Sequence, residues 1–375
     1  MFVDFNYINL RLMVSLTFAG LIITLNSQVA EATYQFTLLE SLGSSVSNAY
    51  AINNSGQVVG WSYANNFSST QRAMIWNGNT ANELNKLDNS YAGIANDINN
   101  SGQVVGYSST NSGGRATLWN GTSANELDTL GGINTSANAI NNSGQVAGYI
   151  DAGNVITASV WNGTKATKLG SLGGNYSEGL GINDYGQIVG LSNATVFGNL
   201  HATIWNGTTA TELDSLGGDL SVAFDINNSG QAVGYSRLDY VNTAMLWNGT
   251  TPIRLGVSGG YSSAFDINNS GQVVGFSIPN FDGTSPTRAT LWNGTTEIDL
   301  NSFLDASTVS EGWLLTEARQ INDNGWIVGQ AVNSYGLGYR AFLLAPVPEP
   351  ETYAMFIAGL SMVGFINRRR KNEQA

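Results

Sequence analysis

Residues 136–169 read SANAINNSGQVAGYIDAGNVITASVWNGTKATKL. Four short apolar or alternating runs stand out in it: Ser136–Ile140, Gln145–Ile150, Ala158–Trp161 and Ala166–Leu169. Asn-Asn-Ser-Gly separates the first two and Asn-Gly-Thr the last two. Asn and Gly tolerate left-handed backbone, so such pairs between apolar runs signal hairpin turns. The stretch predicts four antiparallel strands in sequence order.

The same pattern recurs along the chain. Ile-Asn-(Asn/Asp)-x-Gly-(Gln/Trp)-x-x-Gly starts at Ile52, Ile98, Ile140, Ile182, Ile226, Ile267 and Ile321, at spacings of 46, 42, 42, 44, 41 and 54 residues. Ala-x-x-Trp-Asn-Gly follows at Trp76, Trp119, Trp161, Trp205, Trp247 and Trp292, with Ala341-Phe342-Leu343-Leu344 as a degenerate seventh copy. Four strands per ~40–45 residues is the period of a propeller blade, and no helical 3.6 periodicity competes. The last repeat supplies only three strands, Leu315–Ile321, Trp326–Ala331 and Arg340–Leu344. Tyr34–Leu39 precedes the first motif as an unpaired strand, and joining it to the last repeat would leave no free sheet edge in the ring. The expectation is an all-β, seven-bladed β-propeller over residues 33–346, closed by its N-terminal strand. An open array or another blade count is the rival.

Composition agrees. The 375 residues include 45 Gly and 44 Asn, no Cys, one His and nine Trp, with only 11% charged residues. Without Cys there are no disulfides, thiol nucleophiles or thiolate metal sites, and one His excludes a multi-histidine site within the chain. Residues 33–346 hold 10 Lys/Arg against 22 Asp/Glu, a balance of −12 that disfavours nucleic acid as a partner.

The two ends read as addresses. Residues 12–25 are an apolar run, and Ala30-Glu31-Ala32 gives the small-x-small pattern of signal-peptidase cleavage, so residues 1–32 are expected to be a signal peptide cut near Ala30 and Ala32. At the other end, Val347-Pro348-Glu349-Pro350 precedes an apolar stretch, 353–366, and the basic run Arg368-Arg369-Arg370-Lys371. That stretch is short for a span but is expected to act as a transmembrane helix, with the basic run held in the cytoplasm. Residues 347–371 resemble the PEP-CTERM sorting signal of Gram-negative bacteria. The resemblance implies processing by an exosortase after an inner-membrane intermediate, delivery to the outer surface or medium, and hosts that make exopolysaccharide.

The repeat in turn resembles the HAF family of bacterial extracellular repeats, named for a His-Ala-Phe step. His201-Ala202-Thr203, Arg340-Ala341-Phe342, Arg72-Ala73, Arg115-Ala116 and Arg288-Ala289 occupy that slot. The resemblance implies location and architecture, and no chemistry.

No catalytic constellation stands apart from the repeat. His201 shares its slot with Arg in four copies, which points to a structural role. The six repeated Trp read as blade packing, while Trp61, Trp313 and Trp326 fall elsewhere. Asp97-x-Asn99-x-Ser101-Gly102 matches half of a calcium loop, as do Asp225 to Gly230 and Asp266 to Gly271. The bidentate acid at the twelfth position is missing, with Ser108, Ser236 and Ser277 there instead. The acid pairs Glu126/Asp128 and Glu212/Asp214 read as solvated strand-edge charges. No cofactor, metal site or catalytic residue is expected. The leading expectation is an exported, non-catalytic surface or matrix protein processed by signal peptidase and exosortase, with exopolysaccharide as a partner and the membrane as a temporary anchor. The alternative is an extracellular carbohydrate-active enzyme using carboxylates in the propeller channel.

Overall fold

The turn that repeats seven times organises the fold. In each copy the first Asn after Ile uses its whole side chain. Asn99 Oδ1 accepts from the main-chain N–H of Ser101 and Gln103 at 3.1 and 2.9 Å, which shapes its own turn. Its Nδ2 donates to Gln103 Oε1 at 2.9 Å and to the Asn141 carbonyl of the next repeat at 3.1 Å. The turn closes on a Gly with φ between +76° and +80° in all seven copies, a region that favours glycine.

A computed structural model describes Tyr34–Val347 apart from residues 257–259, 281–284 and 337. The expected signal peptide 1–32 with Ala30 and Ala32, the helix 353–366, and Pro348, Glu349, Pro350, Arg368, Arg369 and Arg370 lie outside the described residues. Among the described residues no helix is long and apolar enough to cross a membrane.

Tyr34–Pro346 forms one unit of seven four-stranded antiparallel sheets. Blade 1 runs outward as Ser47–Ile52, Gln57–Tyr63, Gln71–Asn77 and Thr80–Glu83. The innermost strands of blades 2 to 7 are Ser90–Ile98, Asn134–Ile140, Ser177–Ile182, Leu220–Ile226, Tyr261–Ile267 and Trp313–Ile321. Tyr34–Leu38 adds antiparallel to Tyr339–Pro346, so the N-terminal strand is the outermost strand of blade 7. The seven-bladed expectation and its closure both hold. The long 54-residue spacing before Ile321 is accounted for mainly by two helical turns, Leu300–Phe303 and Ala306–Ser310, between blades 6 and 7.

Apolar residues fill the wedges between blades. Val105, Leu118 and Leu127 of blade 2 meet Ala137, Val146 and Trp161 of blade 3, and the other wedges repeat this arrangement. All six repeated Trp are 0–1% exposed, which confirms the packing reading. Five of their indole N–H groups, all but that of Trp292, also stitch blades together: Trp119 Nε1 donates to Asn85 O, Trp161 to Asp128 O and Trp205 to Gly170 O, at 2.7–2.8 Å.

Two predictions follow from these contacts. Asn99→Ala strands the two main-chain N–H groups, Gln103 Oε1 and the Asn141 carbonyl, at ~1–3 kcal/mol per unmet buried group. The variant is expected to lose roughly 3 kcal/mol or more in urea unfolding; a loss under ~1 kcal/mol would count against the ring as a stabilising element. Deleting residues 34–38 removes a five-residue ladder and uncovers Phe342 and Leu344. It should lower the melting temperature by about 10 °C, at ~2 °C per kcal/mol for a domain of this size, and an unchanged transition would refute closure.

Candidate binding site

Every innermost strand carries a β-bulge at the same place, two residues before the repeat Ile. The extra residue is Tyr50, Asn96, Asn138, Leu180, Phe224, Phe265 and Arg319 in blade order. A bulge re-aims its side chain out of the sheet's alternation, and these seven side chains line one cavity of about 350 Å³ on the ring axis. The bulge also presses the inner strand onto its neighbour. A Cβ on Gly60, Gly106 or any of the five equivalent glycines would overlap the carbonyl oxygen of the inner strand, which is why the motif ends in Gly.

The axis is therefore tiered. At one end the Asn turns encircle it, with a cavity of about 150 Å³. Next come Ala51, Asp97, Ala139, Gly181, Asp225, Asp266 and Gln320, the residues directly before each Ile. Above them lie the bulged side chains, which form a mouth. Rings beside these deepen it: Trp61 donates to Tyr50 Oη at 3.1 Å, and Phe224 packs on Tyr235 and Phe265 with centroids 5.8 and 5.5 Å apart. Arg319 crosses the mouth between blades, its guanidinium 4.6 Å from the Phe265 ring centroid and 5.7 Å from that of Tyr50, and it pairs with Glu317. Exposed rings such as Phe67, Phe197, Tyr240 and Tyr335 sit on the loops at this same end. Between blades 3 and 4 those loops leave a second cleft of about 860 Å³, lined by Tyr176, Phe197 and Leu200. The chain enters and leaves the propeller at the opposite end, because Tyr34 pairs with Pro346 beside the last Asn turn.

The buried acids beneath the mouth have a structural task. Asp97 accepts from Ile98 N at 2.8 Å and from Ile140 N of the next blade at 2.7 Å. Asp225 and Asp266 reach Ile267 N and Ile321 N in the same way, at 3.2 and 2.8 Å, and Gln320 serves Ile52 N. Burial pushes the Asp97 carboxyl up to about 7, against the pull of its two main-chain donors. Burial also raises Asp225 and Asp266, and the charge of Asp225 raises Asp266 further.

The residues singled out in the sequence separate cleanly. His201 Nδ1 meets Glu212 at 2.9 Å across the outer strands. Arg72–Glu83, Arg115–Glu126 and Arg288–Asp299 repeat that pair at 3.5, 3.3 and 3.0 Å. Glu126 and Glu212 are thus partners of the cationic slot rather than free edge charges, and Arg340 instead donates to Leu39 O at 2.7 Å. The half-calcium loops are self-satisfied turns, because Asn99, Asn227 and Asn268 spend their oxygens on N–H groups and Asp97, Asp225 and Asp266 point to the axis. Among the described residues no three His, Asp or Glu side chains are placed to hold a metal ion. The bulged seven went unnoticed in the sequence. A weak signal was present, since within an otherwise repetitive motif this slot holds five residue types in seven copies.

The tail matches the PEP-CTERM protein-sorting motif. The match covers residues 346–371 and marks the chain as one exported to the cell envelope or surface and processed by an exosortase. No curated protein matches the sequence. Among solved structures, the β-propeller domain of the Trilobed protease from Pyrococcus furiosus is similar, at 10% identity and TM-score 0.54, over 81% of this chain and 98% of that one. That domain is described as having an open velcro topology, whereas here the Tyr34–Leu38 ladder closes the ring. TolB from Acinetobacter baumannii aligns at 11% identity and TM-score 0.43, over 66% of this chain and 64% of that one. An acylaminoacyl peptidase from Pyrococcus horikoshii aligns at 13% and 0.48, over 76% and 50%. At these identities the likeness is one of fold.

The buried carboxyls predict a pH signature. A carboxyl raised in the folded state favours its protonated form there, so its stabilisation is complete below the unfolded value of ~4 and is lost as pH rises through the folded value. For Asp97 that window ends near pH 7. Urea midpoints measured from about pH 4.5 to about pH 8.5 should decline less steeply in Asp97→Asn than in the parent. Parallel curves would show that Asp97 titrates normally.

Proposed function

We propose that this chain is an exported, non-catalytic surface or matrix protein that binds exopolysaccharide through the mouth of its propeller, opposite the end to which the sorting segment is attached. The observation that carries this reading is the mouth itself. A concave, ring-lined opening with a few polar groups is the usual form of a binding site, and aromatic faces beside amide and guanidinium groups suit the apolar faces and hydroxyls of sugars. In this reading the repeats are of the HAF type, residues 1–32 are removed by signal peptidase, and residues 353–366 hold an inner-membrane intermediate until exosortase acts.

A second reading, a carbohydrate-active enzyme, is favoured by one observation: Asp97, Asp225 and Asp266 share the channel with raised carboxyls. Glycoside hydrolysis needs two carboxyls flanking the scissile bond. Here each acid is engaged by main-chain N–H groups that join blades, below the bulged side chains, so structural duty explains them more fully.

Mass spectrometry of the native exported protein should find an N-terminus near Thr33 and loss of residues after about 350. An intact C-terminus would refute the sorting step. Sedimentation of the purified propeller with exopolysaccharide from its own host should deplete it from solution. Release of new reducing ends from that polymer, abolished by Asp97→Asn, would instead establish the enzyme.

A further inference from the structure

The mouth is not uniform around its ring. Blades 6, 7 and 1 carry polar atoms that the fold leaves without partners. Four residues before the repeat Ile stand Ser263, Glu317 and Asn48 in these consecutive blades. Ser263 and Asn48 are 3% and 4% exposed, yet Ser263 Oγ and Asn48 Oδ1 have no hydrogen-bond partner. Arg319, between them on blade 7, holds its guanidinium against Phe265 of blade 6 and Tyr50 of blade 1 while its Nε also lacks a partner. The corresponding position in blade 3 differs: Ser136 Oγ donates to Asn138 Oδ1 at 2.9 Å. Arg72, Ser236, Trp292 and Arg340 also leave a buried atom unmet, but none of them is on an innermost strand. Buried polar groups are nearly always satisfied, so the unmet atoms of the innermost strands, confined to blades 6, 7 and 1, mark where a hydrogen-bonding partner belongs.

The unmet set is mixed. Asn48 Oδ1 accepts only, Arg319 Nε donates only, and Ser263 Oγ does both. A simple anion would serve only the donor and an ammonium only the acceptors. Hydroxyls serve both, and the flanking Phe265 and Tyr50 rings offer flat apolar faces. The depth is limited, since the cavity of about 350 Å³ is floored by the Asp tier and then the Asn turns. A polymer cannot thread it.

We propose that the sector formed by blades 6, 7 and 1 is a binding site for the terminal unit of a neutral saccharide chain. Arg319, with Glu317, hydrogen-bonds its hydroxyls, and Phe265 and Tyr50 pack against its ring. The inference deepens the exopolysaccharide reading and rests on it.

The test uses isothermal titration of the propeller with mild-acid fragments of the host's exopolysaccharide, sorted by charge and size, alongside cellotetraose, mannotetraose, xylotetraose, tetragalacturonate and a glucosamine tetramer. Neutral fragments or neutral tetraoses should bind saturably, and shortening them to one or two units should retain most of the affinity. Arg319→Ala and Phe265→Leu should each weaken binding about tenfold or more, as expected for central contacts. Tyr185→Ser, on the exposed Asn-turn end, should leave binding unchanged, and circular dichroism with melting curves confirms that each variant is folded. Binding of the charged tetramers alone overturns the proposal, as does equal binding by the Arg319 and Phe265 variants. If intact exopolysaccharide is retained equally by the parent and by Arg319→Ala, surface binding stands and this site falls. If neither the polymer nor any fragment binds, both readings fall.

Discussion

Two closed circles of hydrogen bonds hold the ring at its narrow end. The first runs from the side-chain amide of each turn Asn to the main-chain carbonyl of the next, from Asn53 through Asn99, Asn141, Asn183, Asn227, Asn268 and Asn322 and back to Asn53. The second runs from the main-chain N–H of the following residue to the side-chain oxygen of its counterpart, from Asn54 around to Asp323 and back. Each is a cyclic constraint, because the last blade can satisfy the first only if seven blades close. The first Asn is invariant across the seven copies for a chemical reason. Its amide must accept twice inside its own turn and donate forward, which Asp cannot do for lack of an N–H. The second position asks only for an oxygen, and Asp184 and Asp323 stand there without cost to the circle.

This division explains what the sequence could tell. Blade count, strand order and the closing role of Tyr34–Leu38 were legible because they depend on turn chemistry and on where apolar runs begin and end. The burial of Trp76 and its five counterparts was legible for the same reason, since a residue written once per repeat faces the same wedge each time. The Arg115–Glu126 and His201–Glu212 pairs were half legible. Both partners of each stand out in the sequence, but only the pairing register of the outer strands shows that they meet. The mouth was not legible, because a bulge is invisible to period-two reasoning. Counting by alternation from Ile98 places Asn96 inside the sheet's regular pattern, whereas the extra residue turns it to the axis. The acid tier was missed similarly. Asp97, Asp225 and Asp266 looked like the leading ligands of calcium loops, and their actual partners are N–H groups a whole repeat away.

A repeat protein separates scaffold from site in a way that a single-copy fold does not. Positions that hold blades together stay nearly the same from copy to copy, because every wedge has a similar shape. Positions that face the axis have no such obligation, since each points into a shared space and only their sum matters. Ala49, Ala95, Ala137, Ala223, Ala264 and Ala318 are alike and buried, while the next residue in each strand ranges from Asn to Phe to Arg. Function in this chain is therefore sought where the copies differ. The same argument sets aside His201, a residue of catalytic type in a scaffold position, and brings forward Arg319, a residue of scaffold type in a variable one. Arg319 is the only one of the seven bulged residues with a formal charge, and it sits on the blade closed by the N-terminal strand. Closure and recognition thus meet in blade 7. Its outermost strand is borrowed from the other end of the chain, so the blade that presents Arg319 to the mouth is complete only once the whole ring has folded.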